Sequence, residues 1–332
     1  MGYAAEKKIV EARVKRAKGI ALAIFAVFVL VACVFSCFYP PETWKYYFAL
    51  PETGVREQGT MRVHFIDVGQ GDCTLVELPD GKTMLVDGGD TSEQTATTVM
   101  RYLNALHIEN IDYLVITHAD TDHCGGLAKI LQYKTFKRAF LPVVDGTEDE
   151  TYALVYAKLM ESGCELTYSA RSVDLSADGD NGYTLSFLYP YTLQTETGAA
   201  LDDNESSAVI WLDYQGTSLL LTGDAPSATE EKLVRDHRLG LLKDTVSLSD
   251  TEILKVAHHG SDSSTSEAFL QYLHIEAAVI SCGEGNLYGH PTERVLASIS
   301  AAGASVYRTD KQGHLLLTVQ SSGEYAFAAL GK

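Results

Sequence analysis

Four short β-rich apolar runs in this chain each stop abruptly on a side chain able to bind a metal, and that repetition restricts the fold more than any other feature. Thr83-Met-Leu-Val runs into Asp87-Gly-Gly, and Tyr113-Leu-Val-Ile-Thr into His118. Ser218-Leu-Leu-Leu-Thr runs into Gly223-Asp224, and Ile253-Leu-Lys-Val-Ala into His258-His259-Gly-Ser. Apolar runs of this length, closed by turn-forming residues, read as buried strands. Helical patterns separate several of them, at Gln94 to Leu106, Leu127 to Tyr133 and Glu230 to Arg238, while Ser186-Phe-Leu-Tyr and Ala208-Val-Ile-Trp-Leu read as sheet core. The alternation predicts an α/β sandwich with one site at its strand ends. The strand-Asp then strand-His order of the first half recurs in the second, as two similar half-domains packed face to face would require.

The second of these strand ends is the densest. Thr117-His-Ala-Asp-Thr-Asp-His-Cys-Gly-Gly126 places two imidazoles and two carboxylates in six consecutive positions between a strand and a helix-like segment. Buried carboxylates without partners are costly, so a cation is the economical way to hold four such groups together.

The chain has 332 residues, 46% of them hydrophobic, enough for one large domain or two small ones. Residues 19–39 carry no charge, and about 20 apolar residues suffice to cross a bilayer as a helix. Lys7, Lys8, Arg13, Lys15, Arg16 and Lys18 precede that stretch against only Glu6 and Glu11, which by the positive-inside rule predicts a cytoplasmic segment 1–18 and a single-pass anchor 19–39. A cleaved signal peptide competes with this reading, and Leu30-Val31-Ala32-Cys33 has the look of a lipobox; lipidated Cys33 would tether the chain on the same side. Pro- and Gly-bearing residues 40–60 read as a linker, leaving 61–332 as the domain, outside the cell membrane.

The whole chain has a formal charge of −18, and setting aside the net +4 of residues 1–18 leaves −22 on the remainder. Such an exterior repels polyanions, so a polyanionic substrate would need local basic groups or the bound cations themselves. Beyond Cys33 and Cys37, the cysteines Cys73, Cys124, Cys164 and Cys282 have no zinc-like spacing and read as small core residues.

Two cations about 3.5 to 4 Å apart can clamp an anionic substrate, generate hydroxide at neutral pH and stabilise both attacking and leaving oxygens. His118 and Asp120 can diverge to one cation, Asp122 and His123 to another, Asp224 can bridge them, and His258 or His259 can complete the second set. Asp87 fits a carboxylate that orients a ligating imidazole. His290, in Asn286-Leu-Tyr-Gly-His-Pro, is a candidate to touch substrate or to protonate the leaving oxygen. Asn204, Ser261 and Asn286 are candidate polar substrate contacts. The glycines of Asp67-Val-Gly-Gln-Gly-Asp72 read as a tight turn rather than a phosphate loop.

His118-Ala-Asp120-Thr-Asp122-His123 resembles the His-x-His-x-Asp-His signature of the metallo-β-lactamase fold, with Asp120 in place of the central His. Phe65-Ile-Asp67-Val-Gly-Gln-Gly-Asp72, Leu85-Val-Asp87-Gly-Gly, Leu221-Thr-Gly-Asp224, Lys255-Val-Ala-His-His-Gly-Ser261, Tyr288-Gly-His-Pro291 and Arg308-Thr-Asp310 are similar to the extracellular domain of the ComEC competence-protein family, from about Met61 to the C-terminus. The resemblance implies an αββα four-layer sandwich and a binuclear hydrolase site, with His118, Asp120 and Asp224 on one metal and Asp122, His123, Asp224 and His258 on the other. Many members add a His between these motifs; here no His occurs between 124 and 236, and Asp203-Asn204-Glu-Ser-Ser207 occupies the interval, with Asn204 positioned to cover the gap. Trading imidazole for carboxylate hardens the site, so manganese or magnesium competes with zinc. The same departures argue against β-lactam hydrolysis.

The resulting expectation is a membrane-anchored extracellular hydrolase with two divalent ions, zinc or manganese, acting as a phosphodiesterase or nuclease on external DNA. Asp120, Asp122 and His290 would take part in catalysis. An envelope phosphoesterase acting on a phosphocholine ester, a lactone hydrolase, and a non-catalytic metal-binding module are the alternatives. No stable protein partner is deducible.

Overall fold

The structure is a computed structural model that describes residues 2–144, 150–179, 182–191 and 204–331. It divides into two compact units, Met1–Phe48 and Ala49–Lys332.

In the first unit, helix α1 (Gly2–Phe38) leads into a 3-10 turn at Pro41–Tyr46. Its stretch Val10–Phe38 is long and apolar enough to cross a membrane, and its 18-residue apolar window is wholly exposed, as a lipid-facing helix must be. After the span the chain folds back on itself. Tyr39 stacks on Phe35 with ring centroids 4.6 Å apart and meets Tyr47 at 4.5 Å, while the Trp44 indole donates to the Tyr39 carbonyl. Such amphipathic rings favour a membrane–water boundary.

The second unit contains fourteen strands among the described residues. These are β1 (Met61–Phe65), β2 (Thr74–Glu77), β3 (Thr83–Val86), β4 (Asn110–Val115), β5 (Thr135–Leu141), β6 (Glu165–Tyr168), β7 (Thr184–Tyr189), β8 (Val209–Tyr214), β9 (Thr217–Leu221), β10 (Ile253–Lys255), β11 (Ala277–Ile280), β12 (Ser305–Arg308), β13 (His314–Val319) and β14 (Tyr325–Gly331). They form an eight-stranded sheet in the order β14-β13-β1-β2-β3-β4-β5-β6 and a six-stranded sheet in the order β12-β11-β10-β9-β8-β7. Strands β3 to β6 run parallel in the first sheet, and β9 to β12 in the second.

One core lies between the sheets. Val63, Phe65, Met84, Val86, Val115 and Phe140 from the first sheet meet Phe187, Ile210, Leu212, Leu219, Leu221 and Val279 from the second. Because successive side chains alternate faces, Leu85, Leu114 and Leu220 must be buried on the outer faces, and they are. On the second sheet, helices α6 (Ser227–Arg238), α7 (Glu267–Leu273) and α8 (Glu293–Ala301) cover Trp211, Leu220, Leu254 and Ile280 with Leu233, Phe269, Leu273, Val295 and Ile299. Helices α2 (Glu93–Ala105), α4 (Leu127–Ile130) and α5 (Glu150–Ser162) pack together and form the remaining layer, with α3 (Thr121–Cys124) against α5. Helix α9 (Thr309–Gln312) closes the list. The architecture is the αββα sandwich expected. Helix α4 ends at Ile130, three residues short of the expected Tyr133, where the backbone tightens into turns: the Gln132 and Tyr133 amides donate three residues back, to the carbonyls of Lys129 and Ile130.

Close packing of backbone on backbone holds the loop after β4 in place. Gly126 has an ordinary helical φ of −65°, so space alone requires the glycine there. A Cβ on it would lie 2.1 Å from the carbonyl oxygen of Gly88, directly after Asp87. Gly126→Ala is therefore expected to destabilise the domain by about 1–3 kcal/mol, read as a lowered midpoint in thermal or denaturant unfolding.

Candidate metal centre

The carboxyl ends of β3 and β4 in one sheet and of β9 and β10 in the other open at the same edge, the usual place for a site in parallel sheets. The Ala208 amide donates to the Thr117 carbonyl, and the Ser207 hydroxyl accepts from the Asp224 amide, so the segment before β8 ties the two strand ends together. His118, His123, Asp224 and His259 are all buried there.

Asp224 stands at the centre. Its Oδ1 lies 3.2 Å from His123 Nε2, and its Oδ2 lies 3.9 Å from His118 Nε2, 3.8 Å from His259 Nε2 and 3.6 Å from His258 Nε2. The His259 Nε2 atom is also 3.2 Å from Asp122 Oδ2, and Asp120 Oδ2 is 3.5 Å from His118 Nε2. The structure thus brings together all seven candidate ligands named from sequence. It separates the two adjacent histidines: the His259 side chain is 2% exposed and reaches Asp122, whereas that of His258 is 26% exposed and reaches only Asp224 among the acidic groups. Both take left-handed backbone, φ 51° and 54°, a strained conformation that turns two consecutive imidazoles toward the cluster.

Three imidazoles have their outer nitrogen occupied. His123 Nδ1 donates to Asp87 Oδ2 at 2.8 Å, His259 Nδ1 to the Ser281 carbonyl at 3.0 Å, and His118 Nδ1 sits 3.0 Å from Thr117 Oγ1. The Thr117 hydroxyl in turn donates to Asp87 Oδ2, and its amide to Asp87 Oδ1. Asp87 therefore fixes the orientation of the His123 ring. With Nδ1 fixed as donor, each Nε2 lone pair points into the cluster.

The donor set fits a cation. His118 Nε2, His123 Nε2, Asp224 Oδ1 and Asp72 Oδ1 are buried without a hydrogen-bond partner, which is expensive unless something positive sits among them. Ligand atoms of His118, His123 and Asp224 lie within 4.8 Å of one another, as do those of Asp72, His123 and His259. Burial alone would depress the pKa of His123, but Asp224 and Asp87 overcome it and raise the value well above the ordinary imidazole range. His259 is raised despite burial by Asp224 and Asp122. Burial opposes ionisation of Asp122, yet His259 and His123 bring its pKa down to about 2, and Asp224 is held well below the usual carboxylate range by His123 and His259 against the same opposition.

Asp72 and Lys255 were not singled out from sequence as site residues. The Lys255 ammonium, buried behind the cluster, donates to Asp72 Oδ2 at 2.7 Å and to the Val256 carbonyl. Burial resists charging Asp72, and Lys255 and His259 outweigh it and lower its pKa. The turn Gly69-Gln-Gly71 places Asp72 there: Gly71, at φ 137°, would with a Cβ lie 2.3 Å from the Asp122 carbonyl oxygen, and the Asp72 amide donates to that same oxygen.

The other candidates lie around the mouth. His290 has its ring centroid 5.8 Å from that of His258, and burial together with His258 and His259 lowers its pKa. Asn286 is committed to its own loop, accepting from the His290 amide and donating to the carbonyls of Gly283 and His290. The Ser261 hydroxyl pairs with Ser263 Oγ. Asn204 begins a 3-10 turn three residues before Ser207, with its Oδ1 buried and unpartnered.

Two measurements check the centre. Asp87→Ala should weaken divalent-metal binding by about 10- to 100-fold, since it frees the His123 ring, as read by competition with a chelating dye. Because the cluster raises the pKa of His123 and His259, protons compete with a cation for these rings more strongly than for ordinary imidazoles, so affinity should fall as pH drops from about 8 to about 6; calorimetry across that range reads it.

Comparison with known proteins agrees with this geometry. Residues 66–151 match the metallo-beta-lactamase superfamily. ComE operon protein 3 of Bacillus subtilis is 30% identical over 76% of this chain and 32% of its own length, and competence protein ComA of Neisseria gonorrhoeae is 31% identical over 75% and 31%. The chain spans about a third of the length of these curated relatives. Among solved structures, CmlA, a diiron β-hydroxylase from Streptomyces venezuelae, aligns at a TM-score of 0.47 with 13% identity, covering 76% of this chain and 53% of that one. The second unit has the metallo-β-lactamase fold, with the superfamily match at residues 66–151, and it is related in sequence to part of the ComEC competence proteins.

Proposed function

We propose that this chain is a membrane-anchored phosphodiesterase that uses two divalent cations, zinc or manganese, to cleave the phosphodiester backbone of DNA outside the cell. The observation that carries the reading is the ring of inward-facing Nε2 and carboxylate atoms around Asp224, met by an exposed Asp120 where the fold's signature has an imidazole. His118, Asp120 and Asp224 would hold one cation, and Asp122, His123, His259 and Asp224 the other, with His258 at the entrance. When bound, such a pair neutralises the charge of a phosphate and acidifies water at the site.

The residues of the chain do the rest. Asp224 spans both ligand sets, so its single carboxylate fixes their separation. Asp87 and the Ser281 carbonyl prevent the rings from turning. His290 stands at the mouth with a lowered pKa, and a neutral ring there suits donation of a hydrogen bond to a phosphate oxygen better than transfer of a proton. Relatedness to competence proteins supports DNA as the substrate. The basic segment before the apolar span supports a domain on the outer side. The charge of −22 beyond that segment favours a second reading, a phosphoester of the cell envelope, because a polyanion gains nothing from an acidic approach.

Full-length protein in detergent, given manganese or zinc, is expected to bind about two cations per chain and to cleave DNA. Asp224→Ala should lose both cations together and more than about 100-fold of kcat/KM, and His290→Ala should act mainly through KM. Cleavage of phosphocholine esters with no action on single- or double-stranded DNA would transfer the assignment to the envelope reading, and fewer than one cation per chain would leave a non-catalytic module.

A further inference from the structure

The loop that carries His290 ends in two side chains that the fold has no use for. Leu287 is fully exposed and Tyr288 is 71% exposed, yet the loop beneath them is rigidly built by the three hydrogen bonds of Asn286. The Tyr288 ring lies nearly parallel to the His290 ring, with centroids 5.8 Å apart and an interplanar angle of 23°. His290 meets His258 edge to face at 5.8 Å, and His258 Nε2 is 3.6 Å from Asp224 Oδ2. A stair of three rings therefore climbs from the central carboxylate to solvent, and its top step is a bare aromatic face.

A ring lying against another below and open above is partly preorganised to stack on a planar group, since less side-chain freedom is left to lose. The acidic exterior supplies no electrostatic funnel for a phosphate backbone, so affinity beyond the cations has to come from contacts that charge does not oppose. Stacking meets that condition, because every base presents a π-face. Paired bases hide their faces within the duplex, and unpaired ones do not.

We propose that Tyr288, with Leu287 as an apolar lip, is a stacking platform for an unpaired base next to the phosphodiester held at the metal centre, and that it makes the domain prefer single-stranded DNA. The proposal rests on the phosphodiesterase reading. Tyr288 is a specificity-determining residue here and takes no part in bond cleavage.

The test uses the full chain in detergent with manganese, an oligothymidylate, and the same oligonucleotide carrying abasic residues beside the scissile position. Tyr288→Ala is expected to raise KM for the oligothymidylate about tenfold with little change in kcat. On the abasic substrate the wild type should already show the raised KM, and the substitution should add nothing, as a shared interaction requires. Tyr288→Phe and Tyr288→Trp should keep the wild-type KM. An equal effect of Tyr288→Ala on both substrates, or none on either, overturns the platform. If the wild type cleaves neither oligonucleotide, the phosphodiesterase reading fails, and a 2-aminopurine oligonucleotide separates the two ideas: quenching in the wild type that is lost in Tyr288→Ala retains the platform, and absence of quenching sinks it too.

Discussion

The domain is organised around one buried carboxylate that belongs to the wrong sheet. Asp224, 2% exposed, leaves β9 in the six-stranded sheet and meets imidazoles delivered by the eight-stranded sheet at His118 and His123. Its Oδ1 has no hydrogen-bond donor, and a buried carboxylate in that condition is tolerated only beside positive charge. His123 and His259 lie beside it, and the cluster raises the pKa of both imidazoles, which favours positive charge there. A divalent cation would supply more in the same place. A cation bound by groups from both sheets would stabilise their packed form by mass action, beside the apolar core that they share.

Accuracy in the centre comes from groups that never face the substrate. Asp87 accepts from Thr117 twice and from His123 once, so a single side chain fixes both the end of β4 and the ring that follows it. Asp87, His258 and His259 all sit at positive φ, where residues with a side chain are uncommon. Such strain persists only where the surroundings overdetermine it: Asp87 is followed by Gly88, packed against Leu127, and His259 by Gly260, packed against Pro291. On the far side, Lys255 and Asp72 form a buried pair that keeps a negative charge behind His259 without adding to the net charge of the cluster.

Much of this could be read from sequence because the ligands follow apolar runs. A strand end is a local feature: Asp87 directly follows β3, and His118, Asp224 and His258 each stand three residues past the end of theirs. The sandwich followed from the same runs, since strands buried on both faces need helices outside them. Asp72 was opaque for the opposite reason. It sits in a glycine turn that resembles any other, and its partner Lys255 lies 183 residues away. The choice between His258 and His259 depends on a left-handed backbone that neither residue type encodes, so adjacent identical letters received different environments. Past the end of α4 the chain is held by a buried bond from the Lys134 ammonium to Asn104, 30 residues away, a contact that the local pattern does not carry.

Charge places opposite demands on the two ends of the molecule. The segment before the apolar stretch is basic, while the remainder is strongly acidic. For a phosphoester substrate that acidity is a long-range cost, but it acts through solvent and decays over a Debye length of about 8 Å at physiological ionic strength. Cations held at Asp224 would attract at contact, within the Debye length, where screening is weak. The long-range field therefore governs how fast a polyanion arrives, and the centre governs whether it stays. An enzyme arranged in this way trades speed of capture for selectivity, since only a substrate able to reach the cations and to gain neutral contacts at the mouth offsets the approach.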